Sequence, residues 1–215
     1  EPINEGRPSG DDYSRIFGGM NWADMRKKEQ AYEDREPAVL IVGAGQAGLS
    51  IAARLRRLGV DTLVVDKLDR VGDVWRNRYH ALALHNGVPL NQMAYMPFPP
   101  SWPNFLPKDM LGNWLEAYAL SMECNVWTGT TLVSGKWDAS AGEWSAHVRR
   151  ADGTERVLRP RHLIFANGVV GAPVQAKAAG LEDFKGEIIH THDYKEGSAW
   201  VGKSVLVLGA GTSGH

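Results

Sequence analysis

A glycine-rich turn between an apolar strand and a helix constrains the fold of this chain more than any other feature. The apolar run Ala38–Val42 predicts a strand that is buried on both faces of a parallel sheet. The turn that follows carries Gly43, Gly45 and Gly48 in the spacing G-x-G-x-x-G. The first glycine permits a sharp turn, the second lets the backbone approach a pyrophosphate, and the third lets helix and strand pack closely. The sequence therefore predicts a dinucleotide-binding site here.

The residues after this turn complete a βαβ unit. Leu49–Leu58 carries apolar residues at helical spacing, and Gly59 stands where the helix is expected to end. A second apolar strand, Thr62–Val65, leads directly to Asp66. An acidic residue at the end of this strand is placed to accept a hydrogen bond from a ribose hydroxyl. The N–H groups and the dipole at the start of the helix would face the phosphates.

The same pattern recurs near the end of the sequence. Ser204–Leu208 predicts another buried strand, and Gly209, Gly211 and Gly214 repeat the glycine spacing. The sequence starts without a methionine and stops one residue after this second turn, so we expect a fragment of a longer protein. The alternative is a frayed C-terminus.

The other segments suggest a mixed architecture. Residues 1–36 are polar and predict an arm or linker with one helix, and Trp75–Pro107 is a proline-rich loop of the kind that shapes a site. Lys108–Leu120 predicts a helix. Val126–Leu158 predicts short strands in an antiparallel meander. His162–Ala166 predicts a return to the parallel sheet.

Composition excludes several classes of protein. Lys and Arg number 24 against 25 Asp and Glu, so no net field attracts nucleic acid or an anionic membrane. The sequence shows neither a signal peptide nor an apolar stretch long enough to span a bilayer. One cysteine, Cys124, excludes a dithiol reductase and suits a reducing cytoplasm. His190, His192 and Asp193 have metal-ligand spacing, but no further ligand cluster supports them, and we expect no metal.

Two segments favour FAD at the first turn. Asp66–Arg76 resembles the segment of FAD-dependent oxidoreductases in which a Gly and a Trp after the acid lie along the flavin, here Gly72 and Trp75. Ala166–Gly168 resembles the A-T-G turn of the same enzymes, with Asn167 in place of Thr. The resemblance implies that FAD binds at the first glycine turn.

A third segment resembles the signature F-x-G-x-x-x-H-x-x-x-(W/Y) of class B flavin monooxygenases. Its positions are filled by Phe184, Gly186, His190 and Tyr194. Baeyer–Villiger enzymes carry Trp at the last position, whereas N- and S-oxygenating and YUCCA-type enzymes carry an aromatic residue such as Tyr. Tyr194 therefore points away from Baeyer–Villiger oxidation. His190 is expected to position a linker rather than to carry protons.

Leu84–Asn86, Met96–Pro99 and Pro107–Tyr118 are similar to YUCCA-type and to bacterial or fungal YUCCA-like monooxygenases. The resemblance covers residues 37–215 and implies an α/β fold. A Rossmann-like FAD-binding domain is expected over 37–203, with the antiparallel β-meander inserted near 126–160. Residues 204–215 would be the first strand and glycine turn of a Rossmann NADP-binding domain.

The resemblance also implies a function. NADPH would reduce the flavin, O₂ would add to it as a peroxyflavin, and a small organic substrate would take one oxygen atom. The resemblance implies a 2-oxo acid or a soft N or S nucleophile as that substrate. Two alternatives stay open: a non-oxygenating FAD/NAD(P)H oxidoreductase, and an FAD-binding fragment without turnover. The residues that distinguish NADPH from NADH are expected to follow the second glycine turn.

Related enzymes place an Asn near the flavin, and Asn86 and Asn91 are the two candidates for this catalytic position. The residues expected to bind the cofactors are Gly43, Gly45, Gln46, Ala47, Gly48, Asp66, Lys67, Gly72, Trp75, Arg76, His85, Ala166, Gly168, Gly209, Gly211 and Gly214.

Overall fold

The computed structural model describes residues 21–168, 173–174 and 177–214. Residues 1–20 of the predicted N-terminal arm lie outside this range. The helices are α1 Trp22–Ala31, α2 Gln46–Arg57, α3 Asp73–Arg76, α4 Val88–Asn91 and α5 Lys108–Ser121. The strands are β1 Val39–Val42, β2 Thr62–Val65, β3 Asn125–Trp127, β4 Thr130–Asp138, β5 Glu143–Arg150, β6 Glu155–Leu158 and β7 His162–Phe165. Short 3₁₀ turns follow at Leu181–Asp183, Ser198–Trp200 and Thr212–Gly214.

The parallel sheet has the strand order β3-β2-β1-β7. Val39 is paired with Thr62 on one side and with His162 on the other, so β1 is an inner strand and lies beside β2, the second strand of the predicted βαβ unit. Leu40 and Ile41 are fully buried because helices and the second sheet cover both faces of β1. The predicted Rossmann-like α/β fold is confirmed. Helix α2 begins at Gln46, three residues earlier than the periodicity of apolar residues indicated.

The antiparallel sheet has the order β4-β5-β6 and begins at Thr130. Val126 was expected in this meander, but it pairs in parallel with Val64 and belongs to the first sheet. A three-residue strand is too short for its side-chain alternation to show which sheet it joins. The sequence pattern therefore placed the start of the meander a few residues too early.

The strand predicted at Ser204–Leu208 does not form. Val205 is 63% exposed and Leu206 is 82% exposed. A strand needs a neighbour to satisfy its backbone N–H and C=O groups, and the described residues supply none at this position. The prediction of a strand here is wrong for the described residues, because an apolar composition cannot supply the neighbouring strand.

Helix α1 packs against β3. Asn21 caps the helix by accepting a hydrogen bond from the amide of Asp24 at 2.9 Å. The Arg26 side chain is buried and donates to the backbone oxygen of Glu123 at 2.6 Å and to Oδ1 of Asn125 at 2.8 Å. Tyr32, just after the helix, is fully buried. This part of the arm is therefore packed into the domain.

An aromatic cluster packs the proline-rich loop against the middle of α5. The ring of Phe98 lies 5.5 Å from that of Trp102 and 5.0 Å from that of Trp114. Leu111, Leu115 and Tyr118 are fully buried on the inner face of α5, as the periodicity predicted. In the range that the structure covers, no helix is both long and apolar enough to cross a bilayer.

Candidate functional site

The first glycine turn is tightly enclosed at two of its three glycines. Gly43 has φ +111°, and a Cβ there would lie closer than 3.0 Å to the carbonyl oxygen of Ala166. A Cβ on Gly48 would lie closer than 3.0 Å to the carbonyl oxygen of Gly43. A side chain at either position would separate β1, α2 and the end of β7. The first glycine therefore forms the sharp turn, and the third allows the close packing of helix and strand, as the fingerprint predicts.

Gly45 faces open space instead. No described atom lies within 4 Å of a Cβ built on this residue, which is the N-cap of α2. A glycine has no side chain to cap the helix, so the first N–H groups of α2 are available to a ligand. The first turn of α2 carries no acidic residue, whereas Arg54, Arg56 and Arg57 lie in its last turn. The start of α2 therefore offers unpaired N–H donors and the positive end of the helix dipole, which favour an anion.

Asp66 lies at the end of β2 beside this turn. Its Oδ2 accepts a hydrogen bond from the amide of Ala44 at 2.7 Å, and its Oδ1 accepts one from the amide of Leu68 at 2.8 Å. The two contacts fix the carboxylate between the glycine turn and the segment that follows β2. Each carboxylate oxygen keeps a second lone pair, which can accept a hydrogen bond from a hydroxyl group.

The Ala166–Gly168 turn also meets the first glycine turn. The amide of Ala166 donates to the carbonyl oxygen of Val42 at 2.8 Å, which continues the pairing of β7 with β1. The Cβ of Ala166 packs under Gly48. The structure thus brings together two segments that the sequence separates by more than a hundred residues.

Gly72 and Arg76 hold α3 on α5. A Cβ on Gly72 would lie closer than 3.0 Å to the carbonyl oxygen of Gly112. The Arg76 guanidinium donates to Oδ1 of Asn113 at 3.0 Å, and it also donates to Asp73 and Glu116. Its donors are therefore engaged within the protein. A direct contact of Gly72 or Arg76 with a cofactor stays a prediction.

Trp75 lies between these two residues and packs, half-buried, against the main apolar core. Its contact with the flavin stays a prediction. Lys67 and His85 are exposed.

The two candidate asparagines differ in their surroundings. Asn91 is buried, and its Nδ2 donates to the carbonyl oxygens of Asn86 and Gly87, both at 3.0 Å. Gln46, the first residue of α2, donates from Nε2 to the carbonyl oxygen of Asn91 at 3.5 Å. Asn91 therefore braces its loop near the start of α2, whereas Asn86 is exposed. Ala47, next to Gln46, is also exposed.

The second glycine turn has the same local geometry as the first. Gly209 has φ +133°, and a Cβ on Gly214 would lie closer than 3.0 Å to the carbonyl oxygen of Gly209. Among the residues described, no atom lies within 4 Å of a Cβ on Gly211, which corresponds to Gly45. The turn conformation therefore forms although the preceding strand does not.

The signature segment is largely exposed. The ring of Phe184 covers Gly186, so a Cβ on that glycine would lie closer than 3.0 Å to it. Nδ1 of His190 accepts a hydrogen bond from the amide of His192 at 3.0 Å. Tyr194 is half-buried between two other aromatic rings. In the described part of the chain, no group of three or more His, Cys, Asp or Glu side chains is placed to hold a metal ion.

Two structural residues of this region were missed by sequence reasoning. Lys108 is 5% exposed and donates from Nζ to the carbonyl oxygen of Arg76 at 2.8 Å and to Oδ1 of Asp109 at 2.7 Å. Gly112 lies inside α5 where Gly72 approaches it. A glycine within a helix was a usable signal of close packing, but nothing in the sequence marks Lys108 as a buried residue.

Residues 36–215 match the flavin-binding monooxygenase-like family. The chain belongs to this family. Indole-3-pyruvate monooxygenase YUCCA1 of Oryza sativa is 36% identical over 192 residues, which cover 89% of this chain and 46% of that protein. Probable indole-3-pyruvate monooxygenase YUCCA3 of Arabidopsis thaliana is 34% identical over 180 residues, with coverages of 81% and 41%. The chain thus spans less than half the length of these relatives.

Solved structures show the same fold. The flavin-containing monooxygenase of Stenotrophomonas maltophilia superposes with a TM-score of 0.66 at 23% identity, over 76% of this chain and 48% of that one. A steroid monooxygenase bound to NADP superposes with a TM-score of 0.59 at 25% identity, over 74% and 31%. The resemblance to class B flavin monooxygenases that the motifs indicated is confirmed.

Proposed function

We propose that this chain is the FAD-binding part of a cytoplasmic, NADPH- and FAD-dependent monooxygenase that transfers one oxygen atom from O₂ to a small organic substrate. The observation that carries the proposal is the open helix start at Gly45. The packed glycines Gly43 and Gly48 flank this helix start, and Asp66 lies beside it at the end of β2.

The residues around this helix start fit FAD. The amides of Gly45, Gln46 and Ala47 would donate to the pyrophosphate, and Asp66 would accept a ribose hydroxyl. Trp75 and the Ala166–Gly168 turn would border the flavin. Bound FAD supplies the redox chemistry that passes electrons from NADPH to O₂. The protein binds, orients and shields the reacting groups.

The second turn supports NADPH as the other cofactor. Gly209, Gly211 and Gly214 have the conformation of the first turn, and Gly211 leaves the same open space as Gly45. The steroid monooxygenase that shares the fold has NADP bound. The signature from Phe184 to Tyr194 lies in the linker that leads to this turn.

The relatives support a substrate class to test. The plant proteins that are 34–36% identical are described as established or probable indole-3-pyruvate monooxygenases, and indole-3-pyruvate is a 2-oxo acid. We therefore propose a 2-oxo acid as the first substrate to test, followed by soft N and S nucleophiles.

The test uses the full-length protein, purified with FAD. NADPH consumption is followed with and without each substrate, together with oxygenated product and hydrogen peroxide. We expect substrate to stimulate NADPH consumption and an oxygenated product to accumulate with it. Release of one peroxide for each NADPH, with no oxygenated product from any substrate class, would support the non-oxygenating alternative. Purification of the 1–215 chain alone tests the second alternative, for which we expect little retained FAD.

A further inference from the structure

A row of three aromatic rings joins the signature segment to the residues that follow α3. The ring centroid of Tyr194 lies 6.2 Å from that of Tyr79 and 5.9 Å from that of Trp200. Tyr79 packs against the main apolar core. Tyr194 is therefore placed between a core residue and a later residue of its own linker.

Polar contacts join the same two segments. The amide of His80 donates to the carbonyl oxygen of Lys195 at 2.9 Å, and Nζ of Lys195 donates back to the carbonyl oxygen of Asn77. Two segments more than a hundred residues apart in sequence thus meet in reciprocal contacts. The linker is exposed on both sides of this point, as at Ile188 (48%) and Val201 (83%).

The contact lies close to the proposed flavin site. The amide of Arg78 donates to the carbonyl oxygen of Trp75 at 3.0 Å, so the chain turns directly from the Trp75 segment into Tyr79. On the other side, only a short stretch of chain separates Trp200 from Gly209. The row of rings therefore joins the segment that follows Trp75 to the linker that leads to the second glycine turn.

We propose that Tyr79 is a positioning residue: by holding Tyr194, it fixes the linker to the Trp75 segment and sets how the second glycine turn is presented to the first. The inference rests on the proposed function, because it concerns the delivery of electrons from NADPH to FAD. It also gives a physical reason for the aromatic residue at the last signature position. A smaller side chain cannot reach both neighbouring rings.

The first experiment measures the contact itself, by hydrogen exchange of the full-length protein. In Tyr79→Ala, the His80 amide is expected to exchange about tenfold faster, because its acceptor on Lys195 moves away. Trypsin is expected to cleave after Lys195 correspondingly faster. Tyr79→Phe keeps the ring and should behave as wild type. Trp137→Ala removes an exposed member of another ring pair, on the antiparallel sheet, and should change neither rate.

The second experiment measures positioning. Tyr79→Ala is expected to slow flavin reduction by saturating NADPH about 10- to 100-fold, because small displacements of reacting groups carry penalties of this size. FAD affinity and reduction by dithionite should stay unchanged. Tyr194→Ala, in the exposed linker, should have the same effect, and the double variant should be no slower than either single one.

The inference would be overturned if the His80 amide exchanged at the wild-type rate in both Tyr79→Ala and Tyr194→Ala. It would also be overturned if the two substitutions slowed flavin reduction additively in the double variant. Loss of FAD from Tyr79→Ala with normal reduction rates in Tyr194→Ala would also overturn it, because Tyr79 would then act only on the fold. The hydrogen-exchange experiment needs no cofactor. If NADPH does not reduce the flavin of the wild-type protein, the proposed function is contradicted. The contact between Tyr79 and Tyr194 is then tested by hydrogen exchange alone.

Discussion

The carboxylate of Asp66 accepts a hydrogen bond from the amide of Ala44 at 2.7 Å, which joins the end of β2 to the first glycine turn. Its other oxygen accepts a hydrogen bond from the amide of Leu68 at 2.8 Å. An acid at this position therefore has two tasks. It shapes the turn from within the protein, and its remaining lone pairs would accept a hydrogen bond from the ribose of the proposed cofactor.

Asp66→Asn is expected to destabilise the domain by about 1–3 kcal/mol. An amide keeps one oxygen acceptor but turns its NH₂ group toward the second backbone donor, which then lacks a partner. Chemical denaturation measures the effect. Asp69→Asn changes the same chemical group at an exposed position and is the control. Equal unfolding free energies for the two variants would contradict the account of Asp66.

Gly43→Ala is expected to cost about 1–3 kcal/mol or more, because the Cβ meets the Ala166 carbonyl and φ +111° strains any other residue. Gly45→Ala is the matched control and is expected to cost less than about 1 kcal/mol, because its Cβ meets open space and only the poorer N-cap is felt. Thermal or chemical unfolding of the two variants distinguishes them. Similar destabilisation by both would show that the second glycine is also packed.

The first βαβ unit was predictable because each of its signals is local. The apolar strands, the glycine spacing and the helical periodicity of Leu49–Leu58 each act within a few residues. The strand at Ser204–Leu208 was wrongly predicted because a strand depends on a neighbour elsewhere in the fold. Val126 was assigned to the wrong sheet for the same reason.

The site was predictable in outline for similar reasons. The glycine fingerprint indicated which backbone atoms approach one another. The sequence could not show that the donors of Arg76 are engaged by α5, or that Asn91 braces its own loop. Those contacts depend on how distant elements pack together. The anchoring of α1 by Arg26 was hidden too, because a buried arginine looks like a surface residue in the sequence.

Arg26→Met is expected to destabilise the domain by about 3 kcal/mol. The substitution leaves the carbonyl oxygen of Glu123 and the amide oxygen of Asn125 without their buried donor. Lys27→Met, at the exposed neighbouring position, should change stability by less than about 0.5 kcal/mol. Equal stabilities would show that α1 is only loosely attached.

Burial raises the pKa of the Cys124 thiol from 9.0 to about 11. The folded protein therefore holds this proton more tightly than the unfolded chain does. The resulting stabilisation is fully present below pH 9 and is lost as the pH rises toward 11. We expect the free energy of unfolding to fall across this window in wild type, and less steeply in Cys124→Ala. Parallel pH profiles for the two proteins would contradict this assignment.

The most direct test of the central claim, that the first glycine turn binds FAD, compares Gly45→Asp with Gly211→Asp in the full-length protein. Aspartate is a good N-cap, so Gly45→Asp should fold normally, but its carboxylate occupies the proposed pyrophosphate position. Absorbance of the purified proteins measures bound flavin. We predict that Gly45→Asp loses FAD, whereas Gly211→Asp keeps it and loses only reduction by NADPH. Stoichiometric FAD in a folded Gly45→Asp protein would contradict the claim.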